Sequence, residues 1–95
     1  MKVSKISIII PCYNEYNTIS ELVDKVYNYK KFDIEVIIID DFSTDGTREI
    51  LQEKILLKYP NTKLLLHSYN QGKGAALRTG FKKVTGDIII IQDAD

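Results

Sequence analysis

Four runs rich in aliphatic residues punctuate the chain, at residues 6–10, 34–40, 63–67 and 87–92. Three are dense in Ile and Val and scarcely alternate with polar residues, the pattern of strands covered on both faces of a parallel sheet. The run at 63–67 is leucine-rich and a weaker strand signal. Between the runs the apolar period changes to that of a helix. Ile19, Leu22, Val23 and Val26 fall at i, i+3, i+4 and i+7, one stripe, and Thr18 with Glu21 predicts a capping box at its start. A second helix is expected from about 43–47, with Ile50, Leu51 and Ile55 inward, ending before Pro60. A third is expected over about 74–84, with Leu77, Phe81 and Val84 inward and Gly86 at its C-cap. The order β-α-β-α-β-α-β predicts a doubly wound α/β sheet with parallel strands and right-handed crossovers.

The 95 residues make one small unit without repeat, linker or low-complexity segment. Thirteen basic residues balance thirteen acidic ones, which argues against a nucleic-acid binder but leaves room for a nucleotide held by a few local donors. No apolar run approaches the roughly 20 residues of a spanning helix, and no signal peptide is visible. Cys12 is the sole cysteine, so no internal disulfide forms and a reducing cytoplasm is the simple reading. Without a second sulfur or a nearby His, Cys12 reads as a small half-buried residue rather than a reactive thiol.

Polar residues gather where three of the strands end. The first leads into Pro11-Cys12-Tyr13-Asn14-Glu15, the second into Asp40-Asp41-Phe42-Ser43-Thr44-Asp45-Gly46-Thr47, the fourth into Asp93-Ala94-Asp95. Parallel strands end on one edge, so the clusters are expected to converge on one crevice. Ser43, Thr44 and Asp45 read most simply as turn and helix-cap chemistry. Asn14 and Glu15 suit a helix start as well as a ligand. Asp40 and Asp41 need more: two adjacent carboxylates at a buried strand end repel and lose hydration unless a cation, an Arg or a donor-rich ligand compensates. Asp93 and Asp95, hard oxygen donors one residue apart at a strand end, suit Mg²⁺ or Mn²⁺.

The segment Asn70-Gln71-Gly72-Lys73-Gly74 resembles a P-loop only superficially. It has no glycine five residues before Gly-Lys, and Gly74 stands where Ser or Thr is required. What remains is a lysine at a helix N-terminus, which suits an anion, with Arg78 four or five residues on. His67 reads as a strand-end residue for which no partner can be named.

These motifs, in this order and spacing, resemble the family-2 glycosyltransferases across essentially the whole chain. The Asn-x-Gly-Lys-Gly-x-Ala-x-Arg-x-Gly stretch and the Asp-Ala-Asp acidic motif are most similar to the dolichyl-phosphate mannose and glucose synthase branch. The resemblance implies a Rossmann-like sheet of order 3-2-1-4 binding a UDP- or GDP-sugar. It places Pro11, Tyr13 and Glu15 around the base and ribose, Asp41 on the base, Asp40 in support of that loop, and Lys73 and Arg78 towards the nucleotide sugar. Asp93 would hold ribose or metal, and Asp95 the metal, Mg²⁺ or Mn²⁺. Phe42 departs from the small residue, often Gly, common after the paired acids.

The implied reaction is sugar transfer with inversion to a polyprenyl phosphate, or in other branches to a glycan hydroxyl. No catalytic base is identified within the 95 residues, and the acceptor side is expected beyond Asp95, where membrane association would also arise. On this reading residues 1–95 are the donor-binding part of the domain, inactive alone. A bare nucleotide-binding module is the alternative. A receiver-like phosphoacceptor domain would need a lysine after a later strand. A nucleotidyltransferase would need a glycine- and basic-rich loop directly after the first strand.

Overall fold

A computed structural model describes residues 4–29 and 31–94. Strand β1 is Lys5–Cys12, helix α1 Ile19–Tyr27, strand β2 Asp33–Asp40. Helix α2 is continuous but not uniform: it is α-helical over Thr47–Ile50, widens to a π-helix over Leu51–Ile55 and closes as α-helix over Leu56–Lys58. Tyr59 then leaves the helical region (φ −129°, ψ 76°), as a residue preceding proline tends to do. Strand β3 is Lys63–Leu66, helix α3 Lys73–Phe81 and strand β4 Ile88–Ile91.

All pairings are parallel and the sheet order is β3-β2-β1-β4, the α/β arrangement expected from the sequence. Side chains on a strand alternate between faces, so an unbroken isoleucine run feeds two cores. Ile6, Ile8 and Ile10 of β1 join Val36 and Ile38 of β2 beneath α1 and α2, meeting Ile19, Val23, Leu51 and Ile55. Ile9, Ile37 and Ile39 point the other way and meet Ala76 and Leu77 of α3. The split follows from topology. The chain moves β1 to β2 to β3 in one direction, then returns past β1 to place β4. Crossovers of one hand in opposite directions lay their helices on opposite faces. The reversal lies between β1 and β4, and a crevice opens there at the strand C-termini.

Three expectations are corrected. The isoleucines of β4 are not covered on both faces but stand 39–45% exposed, because β4 pairs with β1 on one side and is the edge of the described sheet. The Thr18–Glu21 capping box does not form: Thr18 makes no side-chain cap, and its hydroxyl donates to Glu15 Oε2 (3.2 Å) instead. The backbone carbonyl of Glu15 receives the N–H groups of Thr18 and Ile19 (3.1 and 3.0 Å). Helix α3 runs over Lys73–Phe81 with Lys82 as C-cap, so Gly86 caps nothing. Gly86 matters through proximity: a Cβ there would lie 2.6 Å from Ser7 Oγ and 2.8 Å from the Ser7 backbone nitrogen.

Beside that contact sits a buried polar knot at the N-terminal end of the sheet. Glu35, opposite Ser7 in register, accepts from Ser7 Oγ (2.5 Å), from the Thr85 N–H and hydroxyl (2.5 and 3.0 Å) and from Lys63 Nζ (3.0 Å). Burial pushes its carboxyl up, but these donors outweigh burial and hold it down at about 2.

Two outcomes follow. Gly86→Ala is expected to destabilise the fold by about 1–3 kcal/mol, the usual range for overpacking, read from denaturant midpoints. Because the folded pKa of Glu35 lies below its ordinary value of 4.5, its contribution is present above that value and fades as pH falls towards about 2. Stability of Glu35→Gln should therefore vary less with pH across this window than wild type. Parallel curves for the two proteins would contradict the assignment.

Candidate donor-binding site

At the β1/β4 switch point lies an open cleft of about 350 Å³. Pro11, Tyr13 and Glu15 from the end of β1 form one side, and Asp41 from the end of β2 lies in its lining. Asn70, Gly72, Lys73 and Ala76, from the start of α3, form another wall, and Asp93 and Ala94 close the side below β4. Clusters from the two ends of the sequence thus meet at one place.

Of the paired carboxylates at the end of β2 only Asp41 lines the cleft, and both are compensated from within the protein. Asp40 is fully buried. Its Oδ2 accepts from Arg48 Nε (2.8 Å) and from the Ser43 N–H (3.0 Å), and its Oδ1 from Ser43 Oγ (2.6 Å). Asp41 points the other way. Its Oδ1 meets the Gln71 N–H (2.9 Å) and His67 Nδ1 (2.8 Å), and its Oδ2 the Gly72 N–H (2.9 Å). Burial raises the Asp41 pKa, yet the Gln71, His67 and Gly72 donors prevail and hold it below the ordinary carboxylate range. Gly72 presents its N–H from a left-handed backbone (φ 93°) that a side chain would disfavour.

The loops above are tied to each other. Asn14, itself left-handed (φ 53°), takes a bond from the Thr44 N–H (2.8 Å) and gives its own N–H to Ser43 Oγ (2.9 Å). Thr47 Oγ1 accepts the Glu15 N–H (3.0 Å), and Asp45 receives the Thr47 N–H (3.0 Å), the turn rather than the cap chemistry expected of it, since Gly46 is the N-cap of α2. Phe42 also has positive φ (68°), a conformation that explains why a small residue suits that position; here the Arg48 guanidinium lies 5.4 Å from the centre of its ring. Cys12 is buried. Desolvation first, then the Asp40, Glu15 and Asp45 carboxylates, push its thiol up to about 12, so it stays protonated and inert at neutral pH.

Lys73 and Asp93 face each other across the cleft mouth, with Nζ 2.5 Å from Oδ1 and both side chains about half exposed. Arg78 does not reach the cleft lining; its side chain lies back over Gly74. Asp95, expected to hold metal, lies outside the described residues. Among the described residues no group of three metal-ligating side chains gathers. Asp93 alone still fits Mg²⁺ or Mn²⁺ chemically, since such ions are held by one or two carboxylates together with substrate phosphates rather than by a protein cage. Sequence reasoning missed His67. It found no partner there, whereas the ring is buried and bonded on both nitrogens, to Asp41 and to Thr79 Oγ1 (2.8 Å). Its position just past β3, on the same edge as the acids, was the available signal.

Comparison with known proteins agrees with this geometry. The family model described as Glycosyl transferase family 2 matches residues 7–95. The chain is 35% identical over 98 residues to a dolichyl-phosphate beta-glucosyltransferase (ALG5A) of Trichomonas vaginalis, covering 95% of this chain and 30% of that protein. It is 37% identical over 92 residues to a dolichol-phosphate mannosyltransferase of Pyrococcus furiosus, covering 96% and 26%. Among solved structures, the mannosyltransferase PcManGT from Pyrobaculum calidifontis in complex with GDP-Man and Mn²⁺ superposes with a TM-score of 0.82 at 33% identity, over 100% of this chain and 28% of that one. S. aureus TarS 1-349 in complex with UDP-GlcNAc gives 0.82 at 30% identity, over 96% and 26%. The chain thus spans less than a third of the length of these relatives. By the match over residues 7–95, it belongs to glycosyl transferase family 2.

Proposed function

We propose that the chain is the donor-binding part of a metal-dependent, inverting glycosyltransferase that moves a sugar from a UDP- or GDP-sugar to a polyprenyl phosphate. The observation that carries this is the convergence of Tyr13, Glu15, Asp41, Lys73 and Asp93 on one cleft at the topological switch point. The relatives named for dolichyl- and dolichol-phosphate transfer support the acceptor class. The GDP-Man and UDP-GlcNAc complexes support the donor class.

In this reading Pro11, Tyr13 and Glu15 contact base and ribose, with Asp41 on the base and Asp40 holding its loop. Lys73 faces the diphosphate, Arg78 lends positive charge further out, and Asp93 with Asp95 holds the cation. When bound, Mg²⁺ or Mn²⁺ supplies charge neutralisation to the departing nucleoside diphosphate. The Lys73–Asp93 pair would suit such a ligand, Lys73 holding the diphosphate and Asp93 the cation. An acceptor phosphate oxygen forms the new bond to the anomeric carbon from the face opposite the diphosphate. The old C–O bond breaks and its electron pair leaves with the diphosphate. A phosphate acceptor is already anionic at neutral pH, so this step needs no general base. Among the described residues no helix is long and apolar enough to cross a membrane. In this reading the transfer takes place at the cytoplasmic face of a membrane that holds the lipid acceptor.

Titration calorimetry with GDP and UDP tests the metal and the donor together. Wild type should bind one of them at least about tenfold (~1.4 kcal/mol) more tightly with Mn²⁺ than in excess EDTA, and Asp93→Ala should lose most of that increment. Equal affinities with and without the ion would overturn metal dependence. A second comparison sets Asp41→Ala against Asp45→Ala: nucleotide affinity should fall further in the first, and equal losses would remove Asp41 from the base site.

A further inference from the structure

The structure assigns His67 as the positioning residue of the donor cleft: its ring, wedged between Asp41 and Thr79, fixes the Asp41 carboxylate and through it the turn at 70–72. This deepens the donor-site reading and rests on it for the ligand, though not for the geometry. The backbone of His67 is held first. Its N–H donates to the Asp40 carbonyl (2.9 Å), and its own carbonyl accepts from Arg48 Nη2 (2.7 Å). The ring is then buried with both nitrogens engaged: Nδ1 at 2.8 Å from Asp41 Oδ1 and Nε2 at 2.8 Å from Thr79 Oγ1 on α3. Asp41 in turn gathers the N–H groups of Gln71 and Gly72, and its backbone carbonyl accepts from Asn70 Nδ2 (3.2 Å). Asn70 and Gly72 line the cleft; His67 does not. It therefore acts on a bound nucleotide only through Asp41 and this turn.

Hydrogen-bond accounting fixes one proton. Both oxygens of Asp41 already receive backbone N–H groups, and an ionised carboxylate only accepts. Nδ1 must then carry a proton directed at Asp41, and Nε2 is paired with the Thr79 hydroxyl, which can donate or accept. The ring is thus an oriented connector, donating a hydrogen bond to Asp41 and bonded on its far side to Thr79 of α3. A residue that filled the same space without the Nδ1 donor would leave Asp41 one partner short, held only by the Gln71 and Gly72 N–H groups.

His67 is the only histidine in the sequence, so one imidazole pattern reports it. Long-range ¹H–¹⁵N correlation spectra at neutral pH should show Nδ1 protonated. Nε2 protonated with Nδ1 bare would overturn the assignment without any variant. Two substitutions then separate positioning from bulk. His67→Asn keeps an N–H near the place of Nδ1; His67→Gln places its amide near Nε2. His67→Asn should keep GDP and UDP affinity within about threefold, and His67→Gln should lose roughly tenfold, the scale of one hydrogen bond to a charged group. In His67→Gln, amide-exchange protection at Gln71 and Gly72 should fall by a similar factor. Equal affinity losses in both variants, tracking their Tm values, would reduce His67 to packing and overturn the proposal. A wild type that bound neither nucleotide would instead sink the donor-site reading. The tautomer and the Gln71 and Gly72 protection would still decide the role of His67.

Discussion

The structure is organised by the need to satisfy two adjacent carboxylates that the end of β2 carries out of water. Neither Asp40 nor Asp41 depends on a ligand to compensate its charge. Arg48 and Ser43 answer Asp40; His67 and two backbone amides answer Asp41. The partners come from α2, from the residue after β3 and from the start of α3, so satisfying the charges draws those segments to one edge. Removing a single partner from a buried pair leaves an uncompensated charge, a loss of about 3–5 kcal/mol in comparable sites. The same bonds that stabilise the edge therefore set the shape of the cleft.

Most of the architecture could be read from periodicity, because isoleucine runs and helical stripes each have one cheap way to be buried. Layer assignment followed from strand direction. What escaped depended on short distances between residues far apart in sequence. Gly86 carries a glycine signal, but only the approach of Ser7 shows that it serves contact rather than a cap. Thr18 and Glu21 have the right spacing for a box, yet the Glu15 carbonyl takes the amides first. The isoleucines of β4 match those of β1 in character, and only the strand order reveals an edge. His67 looked unpartnered because its ring partners lie 12 and 26 residues away.

The site itself was half legible. The acidic motifs were visible as residue types needing compensation, and the parallel sheet said on which edge they meet. The role of Arg48 was not visible, since an arginine in the first turn of an amphipathic helix usually faces solvent. Zero net charge also misleads at this scale: Lys73 and Asp93 cancel in the sum, yet they place two opposite charges at the cleft mouth.

The π-helical stretch of α2 has a consequence beyond local geometry. Thr47, Leu51 and Ile55, all buried, are spaced by fours. In a uniform α-helix of 3.6 residues per turn, a strict four-residue repeat drifts by about 40° each time and winds off the sheet. The wider turn over Leu51–Ile55 takes up that drift. It keeps the core side of the helix in step with the end that carries Arg48. The helix thus works as a phase keeper between hydrophobic layer and cleft, with one spare residue stored in its backbone to set the timing.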